Sequence, residues 1–124
     1  MSPQTPLQRE RQEALNWLIE YFPATFFQTA KQVKPLKLGI FEDIIDFYDR
    51  LEMPPCSKKI LKEAINYYSA SKAYLSCQKE NSARVDIYGI EVDVVTAEQA
   101  QYAQERFKQR FSNYKQTTTG EKND

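Results

Sequence analysis

Histidine is absent from this chain of 124 residues. That removes the commonest general base and the commonest metal ligand together. Glycine occurs only three times, so neither a phosphate-cradling glycine loop nor a dinucleotide fingerprint can be assembled. Two cysteines, Cys56 and Cys77, stand far apart. A zinc site would have to borrow distant carboxylates, and in a chain without an export signal a structural disulfide is not expected. No apolar run reaches the length of a membrane span. The polar start Met1-Ser2-Pro3-Gln4-Thr5-Pro6 has no hydrophobic signal segment. These absences set the expectations: no enzyme, no cofactor, no metal, no small-molecule substrate, no membrane, and a cytoplasmic location.

Net charge is also missing, with 17 basic and 17 acidic residues. By itself that argues against a nucleic-acid partner, whose first footprint is an excess of Lys and Arg. The distribution is less even. Residues 31–84 hold ten basic residues against seven acidic, whereas both flanks are slightly acidic. Charge blocks of this size also arise by chance.

What is present is 41% apolar residues, enough for one core in one domain. Ala14, Leu15, Leu18, Ile19 and Phe22 recur at helical spacing from Leu7 until Pro23 ends the helix. A connector follows, with Phe26 and Phe27 expected beneath the core. The second helix starts near Leu38 or Gly39, with Phe41, Ile44, Ile45 and Tyr48 on one face and Glu42, Asp43, Asp46 and Asp49 on the other. Ser57 is a good N-cap for a third helix. Its buried stripe is Ile60, Leu61, Ala64, Ile65 and Tyr68, and Lys58 and Lys62 lie one turn apart on the opposite side. A short fourth helix spans about Ala70 to Cys77. The period then changes to two. Ala83 to Ile87 and Ile90 to Val94 read as a β-hairpin turning at Tyr88-Gly89. Val85, Ile87, Ile90, Val92 and Val94 are expected to face the core, and Arg84 and Asp86 to face away. Thr96-Ala97-Glu98-Gln99 is a capping box for a last helix to about Tyr114. The chain therefore reads as an α+β domain over residues 7–115, mostly α-helical with one hairpin. Residues 1–6 and 116–124 are expected to be flexible termini.

Cations and aromatics carry the positive signals. Lys58 and Lys62 beside a helix N-terminus capped by Ser57 can clamp a phosphate, because free first-turn amides and the helix dipole attract anions. On spacing alone, a capped surface helix with solvated lysines explains them better. The same two readings apply to Lys34 and Lys37, which bracket Pro35 ahead of Gly39. Tyr74 is by pattern more often a core residue than a ligand contact. Arg84 beside Asp86 could be a surface pair. Together, a ring and a guanidinium could hold a terminal nucleotide.

One ordered set of pieces is specific. Phe22-Pro23, Lys34-Pro35-Leu36-Lys37-Leu38-Gly39-Ile40-Phe41, Ser57-Lys58, Tyr68-Ser69, Tyr74-Leu75 and Ala83-Arg84-Val85-Asp86 follow one another over roughly residues 10–112. This resembles the ProQ/FinO domain of bacterial RNA chaperones. The resemblance implies a ProQ/FinO-like fold and an RNA partner with a single-stranded 3′ end. It implies recognition of intrinsic-terminator hairpins and 3′ uridine tails, on small regulatory RNAs and mRNA 3′ ends, acting in RNA stabilisation and post-transcriptional regulation; the chain itself is expected to be a monomer. Carried over by position, Lys37 matches the lysine of the family's Pro-Leu-Lys motif. Ser57 and Lys58 match the helix start that contacts the duplex backbone, Lys62 matches a commonly basic position, and Tyr74 and Arg84 match the pocket for the 3′ end. Asn66 departs, standing where some members have arginine. A rival from another class is a protein–protein adaptor without RNA binding, docking through the acidic face of helix two and through Phe26 and Phe27.

Overall fold

The computed structural model describes residues 4–112. Helix α1 spans Pro6–Tyr21. It starts one residue before Leu7 because Thr5 and Gln8 form a reciprocal capping box and Pro6 occupies the first turn, where its missing N–H costs nothing. Ala14, Leu15 and Leu18 bury its inner stripe and Phe22 closes it. In the connector Phe26 is fully buried, as expected, whereas Phe27 is half-buried. A single 3₁₀ turn, Ala30–Gln32, precedes the Lys34–Gly39 segment.

Helix α2 is Ile40–Tyr48 and α3 is Lys58–Ser69, capped by Ser57 as the sequence predicts. The core-facing stripe of α2 is Ile40, Ile44 and Tyr48, with Phe41 and Ile45 at its margin. Helix α4 is Lys72–Cys77, capped by Ser71, and α5 is Ala97–Phe107, capped by Thr96 with Gln99. A π-helical turn, Lys108–Ser112, extends α5. Helices α1 and α3 pack on each other to make the centre of the core, and α5 lies against α4. Tyr114 and the 116–124 tail lie outside the described residues, as do residues 1–3. No helix among the described residues is long and apolar enough to cross a membrane.

The hairpin departs from expectation. Strands β1, Ala83–Val85, and β2, Glu91–Val94, pair antiparallel, with an irregularity between Arg84 and Val85. The extra residue of that irregularity is Val92, so the bulge lies on β2 and not on β1. Both Arg84 and Val85 are buried, so Arg84 does not face away. Ile90, Val92 and Val94 are exposed rather than core-facing. The reason is the edge that β1 presents to the body. Val85 makes a parallel bridge to Leu36, with its N–H donating to the Pro35 carbonyl at 3.0 Å and its carbonyl accepting from the Lys37 N–H at 2.8 Å. β2 is left on the outer side of the ribbon, and the buried position passes to Val95 just beyond it. The turn is fixed by Asp86, whose carboxylate accepts from the Tyr88 and Ile90 N–H groups at 2.9 Å each. Thr25, fully buried, donates its hydroxyl to the Asp86 carbonyl at 2.7 Å and docks the turn on the connector.

Candidate functional site

Ser57 adopts extended backbone and its hydroxyl accepts from the Ile60 N–H at 3.2 Å. The other first-turn amides of α3 emerge into solvent beside exposed Lys58 and Lys59. The Lys58 ammonium is 3.0 Å from the Asp49 carboxylate and 6.0 Å from the Tyr48 ring centroid. One turn on, the Lys62 ammonium lies 5.9 Å from the Phe41 ring. Tyr48 and Phe41 are two turns apart on α2, so Lys58 and Lys62 run along one side of that helix in the opposite direction.

Lys34 and Lys37 flank the buried pair Pro35-Leu36. The β-bridge to Val85 immobilises the backbone between them, so their side chains leave from a fixed base. The Lys34 ammonium is 5.6 Å from the Phe27 ring. Lys37 reaches into the first turn of α2 and pairs with Asp43 at 2.6 Å. This bond to Asp43 holds the ammonium pKa above its ordinary value. The pair borders a cleft of about 290 Å³, also lined by Asp46, Arg50, Asp86 and Tyr88. Gly39, at φ +80°, turns the chain from this segment into α2.

Tyr74 and Arg84 come together, but inside the protein, with 9% and 4% of their surface exposed. The Tyr74 hydroxyl oxygen accepts from the Leu36 N–H at 3.0 Å. The Arg84 Nη1 donates to the Leu36 carbonyl at 2.8 Å, and Nη2 donates to Gln99 Oε1 at 3.1 Å. Both main-chain polar atoms of Leu36 are therefore held by this pair. Burial pushes the Tyr74 pKa up, against the opposing pull of the Leu36 N–H and the Arg84 charge. Arg84 Nε is buried without a hydrogen-bond partner. An unpaired buried donor of this kind costs about 1–3 kcal/mol.

Three participants were not visible in the sequence reading. Asp43 and Asp49 are the counter-ions of Lys37 and Lys58, not a free acidic face. Gln99 accepts the Thr96 N–H at 2.9 Å while serving Arg84. The first-turn position of Asp43, six residues after Lys37, was a local signal for its pairing; the capping box marked Gln99 as a helix cap, but nothing local pointed to its contact with Arg84. Of the surface expected for an adaptor, Phe26 is buried and Phe27 half-buried, and two of the four carboxylates, Asp43 and Asp49, are in ion pairs.

A profile of the ProQ/FINO family matches residues 8–119. The chain belongs to the ProQ/FinO family. Among curated ProQ/FinO relatives, the RNA chaperone ProQ of Idiomarina loihiensis is 40% identical over 99 residues, covering 78% of this chain and 45% of the relative. That of Pseudoalteromonas atlantica is 36% identical over 97 residues, covering 78% and 44%. The chain thus spans about half the length of the curated relatives it matches. The solution structure of a ProQ homologue from Legionella pneumophila is 59% identical, with TM-score 0.72, covering 90% of this chain and 87% of the other. A FinO-like RNA chaperone from Neisseria meningitidis shares the ProQ/FinO fold at 18% identity, with TM-score 0.63 over 86% of this chain and 83% of the other.

Proposed function

We propose that this chain is an RNA-binding domain of the RNA-chaperone kind, which takes the base of an intrinsic-terminator hairpin and its single-stranded 3′ uridine tail. Lys58, Lys62 and the α3 amides behind Ser57 meet duplex phosphates, and Lys34 and Lys37 meet the strand that leaves the duplex. Tyr74 and Arg84 define the end of the path. The observation that carries this reading is the set of cations held by the fold: Lys34 and Lys37 leave a backbone fixed by the Leu36–Val85 bridge, and Lys58 and Lys62 run along one side of α2. A 3′-terminal ribose oxygen would satisfy the buried, unpartnered Arg84 Nε once the cluster around Leu36 opens to admit it. The names of the curated relatives support the RNA partner, and the exposed ion pairs of Lys37 and Lys58 can exchange carboxylate for phosphate at little cost. RNAs of this class are small regulatory RNAs and mRNA 3′ ends, so the outcome of binding is post-transcriptional.

A salt titration with a terminator hairpin tests the proposal. Each phosphate neutralised contributes about −0.7 to −0.9 to the log–log slope, so four lysine contacts predict a slope of roughly −3. The same RNA ending in a 3′ phosphate is expected to bind less well than one with a 3′ hydroxyl. No binding at low salt overturns the RNA reading, and equal affinity for both ends overturns the 3′-end pocket.

A further inference from the structure

Four lysines lie apart from this site. Two grooves run along the sides of α4 and meet at exposed Ser76 and Lys79, which line both. The first, about 450 Å³, is bounded by Lys31 and Lys72. The second, about 510 Å³, is bounded by Lys108 and the Phe107 ring. No carboxylate lines either groove among the described residues. In a chain of zero net charge, that is a local excess of one sign.

The aromatic content of the patch narrows the partner. Phe107 and Phe111 pack with ring centroids 5.0 Å apart at the end of α5. The Lys72 ammonium lies 5.3 Å from the Phe111 centroid, and the Arg110 guanidinium 5.6 Å from it. Both rings are partly exposed. Rings interleaved with cations, flanking a groove free of carboxylates, suit a flexible polyanion whose bases stack while its phosphates meet ammonium groups. An acidic peptide would use the charges but not the faces of the rings. On α4, Lys72 and Ser76 are one turn apart, and Tyr74 lies roughly 200° around the helix from each. The patch is thus on the opposite face of α4 from the buried Tyr74.

We infer that the α4–α5 surface formed by Lys31, Lys72, Lys79, Lys108, Phe107 and Phe111 is a second RNA contact, which takes single-stranded RNA flanking the hairpin. The inference rests on the RNA reading above and extends it to a second face. It implies that the domain distinguishes a bare terminator from one embedded in a longer transcript.

The test compares two RNAs by anisotropy: a terminator hairpin with its uridine tail, and the same RNA with a single-stranded 5′ extension of about 12 nucleotides, within the span such surfaces cover. The wild-type chain is expected to bind the extended RNA about tenfold more tightly, the scale of one or two stacked bases. Lys72→Ala/Lys79→Ala should abolish that gain and reduce the salt slope for the extended RNA by about 1.4. It should leave both the bare hairpin affinity and the melting temperature unchanged. Phe111→Leu should remove part of the gain without changing the slope. If the wild type binds the hairpin but gains nothing from the extension, the second contact is overturned and the terminator reading stands. If it binds neither RNA, both fall. Equal weakening of both RNAs by the double variant means diffuse charge and overturns the inference. So does a glutamate-rich peptide binding at the patch while the extension adds nothing.

Discussion

At the scale of single residues, two side chains have more than one job. Asp43 holds Lys37 at 2.6 Å, so any phosphate at Lys37 competes with a carboxylate already in place. Asp43→Asn frees the ammonium, and affinity for a terminator hairpin should rise about two- to fivefold, the worth of an exposed pair. Unchanged or weaker binding would show that Lys37 is not on the RNA path. Tyr74 is a core residue with a polar duty, because its hydroxyl accepts the buried Leu36 N–H. Packing alone would make Tyr74→Phe nearly silent. With the acceptor gone, the variant should instead lose about 1–3 kcal/mol of stability, read from its urea midpoint. Tyr74→Ala should lose about 3–5 kcal/mol. Neither the pairing of Asp43 nor the duty of Tyr74 was read from the sequence. In Tyr74 the periodicity shows an inward ring, whereas the Leu36 partner lies in a segment that only tertiary structure brings close.

At the scale of elements, the helices were legible because their signals are local. Pro23, Ser57 and the Thr96–Gln99 box act within one turn, and each stands at the boundary it marks. The hairpin was legible as a hairpin but not in its facing. Alternation marks a single core face, but β1 is covered on both, so Arg84 and Val85 are each buried, while the extra residue of the irregular register is Val92 on β2. Arg84 is then held by Leu36, 48 positions away in sequence, a distance no local pattern spans. The turn is the tightest point of the element. Gly89 sits at φ +79°, and a Cβ there would stand 2.5 Å from the Ala24 Cβ and 3.0 Å from the Ala24 carbonyl oxygen. Gly89→Ala should therefore destabilise by more than about 1 kcal/mol. Ala24→Gly should recover part of that loss in the double variant, measured by chemical denaturation. Full additivity of the two changes would mean that the turn and the connector do not share this contact.

For the molecule as a whole, pH is a weak lever around neutrality and a strong one in alkali. No histidine is present, and histidine is the side chain whose ordinary pKa falls in the physiological window. RNA affinity should therefore stay flat between about pH 6 and 8. Tyr68 behaves differently. Its burial pushes the phenol up to about 12, against the pull of the Phe27 N–H. The folded state then binds a proton more tightly than the unfolded chain, whose tyrosine titrates near about 10. The resulting stability is complete below about pH 10 and drains away as pH climbs through about 12. Tyr74, shifted in the same direction by burial, adds to the loss. Denaturation midpoints measured from pH 8 to 12 should fall over that window. The fall should be smaller in Tyr68→Phe, once its lower starting stability is subtracted.

The bridge between Leu36 and Val85 also sets an order in time. During synthesis Lys34 and Lys37 leave the ribosome long before the strand that fixes the backbone between them. Until Val85 and Arg84 have emerged, Leu36 has neither its strand partner nor the guanidinium that holds its carbonyl. A nascent chain therefore displays its lysines first and acquires their geometry late, in the slow manner of long-range contacts. On the proposed reading, any RNA gripped before that moment would be held by charge alone, and discrimination would begin only when the hairpin closes on the segment that preceded it.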